Sequence, residues 1–144
     1  MIIGSITEDK EIEKRVAITP EIVKKYKSLG LEVYLCKDYA THLGYIDEQY
    51  KSEGAKILNN NDEVLSNSNV IAQMNILTDD NLNKLRSKQI FIGILNPYNN
   101  KEKLKEIIKK NITCFSMELL PRITRAQSMD VLSSQANLAG YKAV

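Results

Sequence analysis

Between Glu118 and Ser134 the chain gathers Arg122, Arg125, Gln127, Ser128, Asp130 and Ser133 into a short stretch, with Pro121 stiffening its entry. Guanidinium, amide, carboxylate and hydroxyl groups together are the inventory for holding a polar, planar, phosphate-linked ligand. A ring that carries a carboxamide needs both donors and acceptors, and Gln127 offers both. A second reading of the same residues stays open: Asp130 and Ser133 cap the next helix, and the arginines are solvated.

An absence bears on the same question. The six glycines stand at 4, 30, 44, 54, 93 and 140 and form no GxGxxG. A complete dinucleotide site needs that turn to bring phosphates onto backbone amides. If the chain serves a dinucleotide, the phosphate-gripping domain is expected outside it. Cys36, Cys114 and the single His42 are too few for a zinc site, so metal binding is set aside. Both cysteines sit in apolar, strand-like runs, as buried reduced thiols of a cytosolic protein would.

These residues have to be positioned by a scaffold, and the chain alternates short apolar runs with helix-period segments, the pattern of an α/β fold on a largely parallel sheet. Strands are expected at Ile2–Ile6, Leu31–Cys36, Ala55–Leu58, Asn69–Ile76, Gln89–Leu95 and Ile112–Met117. Gln89–Leu95 is the clearest, and its apolar run predicts a fully buried central strand. Thr19-Pro20-Glu21 opens a helix, with Thr19 as cap and Ile22, Val23, Tyr26 and Leu29 on one face up to Gly30. Shorter helices are expected at Asp47–Glu53 and from Asp62, and Thr78 caps another carrying Leu82 and Leu85. Asn99 and Glu102 resemble a capping box ahead of a stripe of Leu104, Ile107 and Ile108. The recurring crossover predicts a three-layer α/β/α sandwich, flavodoxin-like or Rossmann-like, with a mostly parallel sheet. In such a sheet ligands gather at the carboxyl ends of the strands. Three exits are therefore of interest: Thr7–Thr19, Asn96–Asn100 and Glu118–Ser134.

With 144 residues there is room for one ordinary domain. A net charge of +2 with interspersed Lys and Glu argues against a dedicated nucleic-acid or membrane-surface binder. No apolar run approaches the roughly 18 residues needed to span a bilayer. After Asp130, Leu132, Ala136, Ala139 and Ala143 recur at helical spacing up to an apolar Val144, which suggests a truncated interdomain helix. The alternative is a terminal helix that docks on the sheet.

Two stretches carry a family resemblance. Glu13 to Tyr34, EKRVAITPEIVKKYKSLGLEVY, resembles the N-terminal signature shared by alanine dehydrogenases and the NAD(H)-binding alpha subunit of proton-translocating transhydrogenases. Pro121 to Val144, PRITRAQSMDVLSSQANLAGYKAV, resembles the transhydrogenase branch in particular. The likeness is colinear through Asp47–Tyr50, Gly54-Ala55 and the strand near Val70.

The resemblance implies an N-terminal α/β subdomain over residues 1–126, with 127–144 beginning a helix to a missing NAD-binding Rossmann domain. NAD(H) is expected in the cleft between the two. By position, Arg122, Ile123, Thr124, Gln127, Asp130 and Ser133 are the implied cofactor contacts. Arg122 and Gln127 meet the nicotinamide end, Asp130 and Ser133 orient it, and Gln127 and Asp130 lie nearest the chemistry. The implied reaction is direct hydride transfer from NADH to NADP⁺, coupled to proton translocation. NADP(H) sits on a partner component that docks at Gln127, and further partners are a membrane component and a second copy. The implied location is bacterial, cytoplasmic and peripheral to the inner membrane, and this piece alone is expected to be inactive. In such a step the cofactors supply reactivity and the protein supplies distance and orientation.

Departures separate the branches. The resemblance places a dehydrogenase Lys on the strand matching Val70–Met74 and a His after the strand matching Phe91–Leu95, where this chain has Gln73 and Asn96. Arg15 matches an arginine that grips a substrate carboxylate in the dehydrogenases, and here it is expected to brace its loop. An alanine dehydrogenase-like oxidoreductase fragment and a non-catalytic nucleotide-binding or regulatory module remain as alternatives.

Overall fold

In the computed structural model the residues described are 1–143; Val144, the expected last residue of the terminal helix, lies outside them. Six parallel strands form one sheet: β1 Ile2–Ser5, β2 Glu32–Cys36, β3 Lys56–Leu58, β4 Val70–Asn75, β5 Ile90–Ile94 and β6 Thr113–Ser116. Their order across the sheet is β3-β2-β1-β4-β5-β6. The direction of winding therefore reverses between β1 and β4, the switch point of a doubly wound fold.

Six helices connect and follow them: α1 Pro20–Ser28, α2 Asp47–Ser52, α3 Asn61–Asn67, α4 Asp79–Lys84, α5 Lys101–Lys109 and α6 Val131–Ala143. Right-handed crossovers put α1 and α2 on one face and α3, α4 and α5 on the other. Packing agrees, with α1 against α2 and α3 against α4. The core runs through Ile3, Val33, Leu35, Ile71 and Phe91, joined from the helices by Val23, Tyr50, Leu65, Leu82 and Ile107. At a typical 25 cal/mol per Å², each such side chain contributes about 2 kcal/mol of transfer free energy.

Local chemistry sets the helix starts. The Asn60 side chain accepts from the Glu63 N–H at 2.9 Å, and Thr78 accepts from the Asn81 N–H at 3.5 Å. Thr19 occupies the expected cap position of α1, but its side chain makes no cap hydrogen bond; Pro20 fixes the entry instead. The expected Asn99–Glu102 box does not form. Asn100 stands at the cap, and its amide turns back to the β5 exit, while Glu102 pairs with Lys105. Leu29 and Ile108 are exposed, because each faces outward at the last turn of its helix rather than toward the sheet.

The strand Gln89–Leu95 differs from expectation in a way that matters for the site. β5 is one in from the edge, and only its Phe91 and Gly93 side is buried; Ile90, Ile92 and Ile94 are half-buried. The reason is topological. α1 and α2 serve the strands on the other side of β1, so no crossover helix lies over that side of β4 and β5. The chain beyond β6 covers it instead, with a 3-10 turn at Met117–Leu119, a second at Thr124–Met129, and α6.

Gly4 marks the tightest contact of the core, where the end of α3 meets β1. A Cβ there would overlap the Ser68 side chain and lie 2.9 Å from Val64 Cγ1. Ser68 is itself fixed, donating to the Val64 carbonyl at 2.7 Å. Gly4→Ala is therefore expected to destabilise the fold by about 2 kcal/mol, the usual cost of overpacking. Urea unfolding followed by circular dichroism checks this; an unchanged midpoint would show that α3 is free to retreat.

Candidate functional site

The carboxyl ends of β1, β4 and β5 leave backbone groups without sheet partners, and side chains from neighbouring strands satisfy them. At the β1 exit the Gln73 amide pairs with both backbone groups of Ile6: Oε1 accepts from the N–H at 2.8 Å and Nε2 donates to the carbonyl at 3.2 Å. Oε1 also accepts from Ser5 Oγ at 2.7 Å. Since Tyr39 OH accepts from the Ile18 N–H at 3.2 Å, its own proton goes to Ser5 Oγ at 2.8 Å. The run Tyr39–Ser5–Gln73 is thus directionally fixed, and all three side chains are buried.

At the β4 exit Glu8 repeats the arrangement in reverse. Its Oε1 accepts from the Met74 N–H at 2.6 Å and from Gln73 Nε2 at 3.2 Å. Burial pushes the Glu8 carboxyl above the ordinary glutamate range, the nearby Glu13 carboxylate adds to that, and the Met74 and Asn75 N–H groups oppose it. At the β5 exit Glu118 accepts from the Leu95 N–H at 3.3 Å and the Asn96 N–H at 2.5 Å. Asn100 completes that exit by donating to the Leu95 and Asn96 carbonyls. Asn96 there adopts φ 45°, a conformation asparagine tolerates.

Between these exits lies a cavity of about 410 Å³ lined by Glu8, Gln73, Asn75, Asn81, Asn96 and Lys103 among apolar neighbours. It brings Gln73 and Asn96 together, as their strand positions suggested. Glu8, Asn75 and Glu118 were not singled out from the sequence. Asn75 was legible in principle, since it lies two residues past Gln73 on the same side of the strand.

The Thr7–Thr19 exit is braced by its own charges. Arg15 binds Glu13 in bidentate fashion, Nε to Oε1 at 2.8 Å and a terminal nitrogen to Oε2 at 2.6 Å. The guanidinium lowers the Glu13 carboxyl below its ordinary value, against the effect of burial. Arg15 thus braces this loop, and His42 helps, its Nε2 2.8 Å from the Lys14 carbonyl.

The polar loop before α6 has a different character. Arg122, Ile123, Thr124, Arg125, Gln127 and Ser128 are exposed, and Ala126 alone in that stretch is buried. Asp130 and Ser133 are joined: Asp130 accepts from the Ser133 N–H at 3.0 Å and from its hydroxyl at 2.6 Å. That is the capping arrangement anticipated as one alternative. The Ser133 hydroxyl and N–H, and more weakly Arg122, hold the Asp130 carboxyl below its ordinary range. Beneath Ser128–Val131, Ser134 and Gln135 lies a second cavity of about 490 Å³, floored by Ala72, Met74, Ile92, Gly93 and Ile94. Among the described residues there is no cluster of potential metal ligands, and no helix is long and apolar enough to cross a membrane.

A parallel sheet of this order, with carboxylate-capped exits and an exposed Arg–Gln–Asp–Ser loop, matches one family along most of its length. The profile described as "Alanine dehydrogenase/PNT, N-terminal domain" covers residues 4–139. The chain belongs to this family. Within it, the chain is 41% identical over its whole length to the first of the separately encoded pieces of NAD(P) transhydrogenase subunit alpha in Rickettsia prowazekii, covering 39% of that protein. The corresponding Rhodospirillum rubrum protein is 36% identical over 92% of the chain and 36% of its own length. A transhydrogenase structure from Sinorhizobium meliloti superposes with TM-score 0.93 at 39% identity, over 99% of this chain and 42% of that one. The chain therefore spans about two fifths of the relatives it matches. Alanine dehydrogenase 1 of Staphylococcus aureus is more distant at 26% identity over 94% of the chain and 36% of its own length. An L-alanine dehydrogenase structure, TM-score 0.77 at 19% identity over 82% of this chain and 32% of that one, shares the fold.

Glu8 supplies a pH test. Its folded-state affinity for a proton exceeds that of the unfolded chain, so its contribution favours folding below about pH 4.5 and is lost as pH rises through the folded value. Glu8→Gln keeps the acceptor for Met74 and removes the charge. The variant is expected to be more stable than the parent at pH 7 and equal to it near pH 4. Equal stability at both pH values would show that Glu8 is not desolvated.

Proposed function

We propose that this chain is the nicotinamide-facing subdomain of the NAD(H)-binding alpha subunit of a proton-translocating transhydrogenase. Residues 127–144 then begin the connection to a Rossmann domain that grips the phosphates and adenosine. The carrying observation is the plugged switch point. The sheet has dinucleotide-binding order, yet Glu8 and Glu118 carboxylates occupy the N–H groups that a phosphate would need. Like charge and filled donors exclude a pyrophosphate there, so a second domain has to hold it.

On this reading the exposed Arg122–Ser133 loop offers the nicotinamide end. Arg122 and Gln127 contact the carboxamide, Ile123 and Thr124 line the ring, and the Asp130–Ser133 pair orients it. Hydride passes from NADH to an NADP⁺ held by a partner component that approaches at Gln127. The loop supplies no general acid or base; it sets distance and angle. Coupling to proton movement belongs to a membrane component, which places this subdomain at the cytoplasmic side of the membrane as part of a dimeric subunit. The similarity to the transhydrogenase proteins supports this assignment. An amino-acid oxidoreductase has less support, because Gln73 is consumed in capping Ile6 and cannot serve as a titrating group.

Two measurements bear on the proposal. Calorimetric titration with NADH is expected to give an affinity for the isolated chain at least roughly a hundredfold weaker than for the subunit completed by its Rossmann domain. Comparable affinities would refute a split site. In the completed subunit, Gln127→Ala is expected to slow hydride transfer roughly a hundredfold while NADH affinity changes by less than about threefold.

A further inference from the structure

α6 is a helix with almost nothing under it. None of its residues is buried, and Leu132, Leu138 and Tyr141 are exposed. The loop before it is pegged at Ala126, and the roughly 490 Å³ cavity separates the loop and α6 from β4 and β5. Apolar burial therefore does little to fix how α6 and its first turn lie over the sheet.

One contact does. Arg15 donates from its remaining terminal nitrogen to Gln135 Oε1 at 2.8 Å, across 120 positions in sequence. Among the described residues this is the only hydrogen bond between α6 and any residue before Asp130. It is charge-assisted and comes from a prearranged donor. Glu13, itself buried, holds the guanidinium by a fork of two bonds and also accepts from the Arg15 N–H at 2.9 Å. The fork leaves the third nitrogen facing α6. Gln135 lies one turn beyond the Asp130–Ser133 pair, so the same contact fixes the height and rotation of that pair.

We propose that Arg15 is a positioning residue for the Arg122–Ser133 loop, acting through Gln135 and oriented by Glu13. The proposal rests on the reading of that loop as the nicotinamide end of the site. It assigns the arginine of the β1 exit a role on the other side of the second cavity. Through Glu13 and Arg15, the carboxyl end of β1 sets the angle of a helix that the sheet itself barely touches.

Hydrogen exchange at the α6 amides and tryptic cleavage after Arg122 and Arg125, both on the 144-residue chain, test the latch directly. Gln135→Leu is expected to raise both rates roughly fivefold with an unchanged thermal midpoint, since the residue is exposed and outside the core. Gln135→Glu, which converts the contact to an ion pair, is expected to slow both, and to lose that effect in an Arg15→Gln background. Unchanged rates in Gln135→Leu, or an effect of Gln135→Glu that persists without Arg15, would overturn the latch. In the completed subunit, Gln135→Leu is expected to lower kcat with little change in the NADH KM, and Gln135→Glu to retain kcat. If exchange rises and turnover is unmoved, the latch stands as a contact, while the positioning role and the reading of the loop as the nicotinamide site fall together.

Discussion

Parallel strands that end at a switch point leave N–H and C=O groups facing a crevice, and this fold depends on how those groups are satisfied. Each exit is capped by a side chain carried on an adjacent strand or the loop after it. Gln73 from β4 caps Ile6, Glu8 from the β1 exit caps Met74, and Glu118 from beyond β6 caps Leu95 and Asn96. The caps interlock, because the Gln73 amide that serves β1 also donates to the Glu8 carboxylate that serves β4. Removing one leaves buried donors unpaired on the next strand, at about 1–3 kcal/mol for each.

This capping scheme explains why dinucleotide-binding strand order occurs here without dinucleotide-binding chemistry. The usual arrangement keeps the β1–α1 turn glycine-rich, so that backbone amides stay open to phosphate. Here the β1–α1 connection runs from Thr7 to Thr19, contains no glycine, and fills the crevice with Glu8, Glu13 and Arg15. Carboxylates stand where an anionic ligand would go. Fold and function part company at this point: the sheet order belongs to the architecture, and the ligand is decided by what plugs the exits.

Much of the scaffold was legible in the chain. The six apolar runs became six strands in the predicted sequence order, and Pro20, Asn60 and Thr78 marked helix starts through local chemistry that tertiary packing did not override. Burial was harder to read. IFIGIL reads as a strand covered on both sides, yet half of it lacks a crossover helix, because coverage follows from strand order and strand order is not local. The Asp130–Ser133 spacing announced a cap, and the structure forms one. Glu8, Asn75, Glu118 and the Arg15–Gln135 contact gave no comparable signal. Their partners are remote, up to 120 residues for Arg15, and a single sequence carries no record of such pairings.

The contrast between the two halves of the molecule arises from the same constraint. Where α1 to α5 cover the sheet, side chains such as Tyr39, Tyr50 and Phe91 are fully enclosed and set positions by volume. Over the outer side of β4 and β5 the covering elements contribute one buried residue, Ala126, and leave a cavity, so position there is set by directional contacts. Directional contacts suit a surface that must meet a ligand. A hydrogen-bonded helix keeps its angle without closing the space beside it, whereas a packed one would fill that space with its own side chains. The apolar residues that α6 leaves exposed are then the portion of the helix that a neighbouring body covers, and its polar tie at Gln135 holds the orientation in which that body meets it.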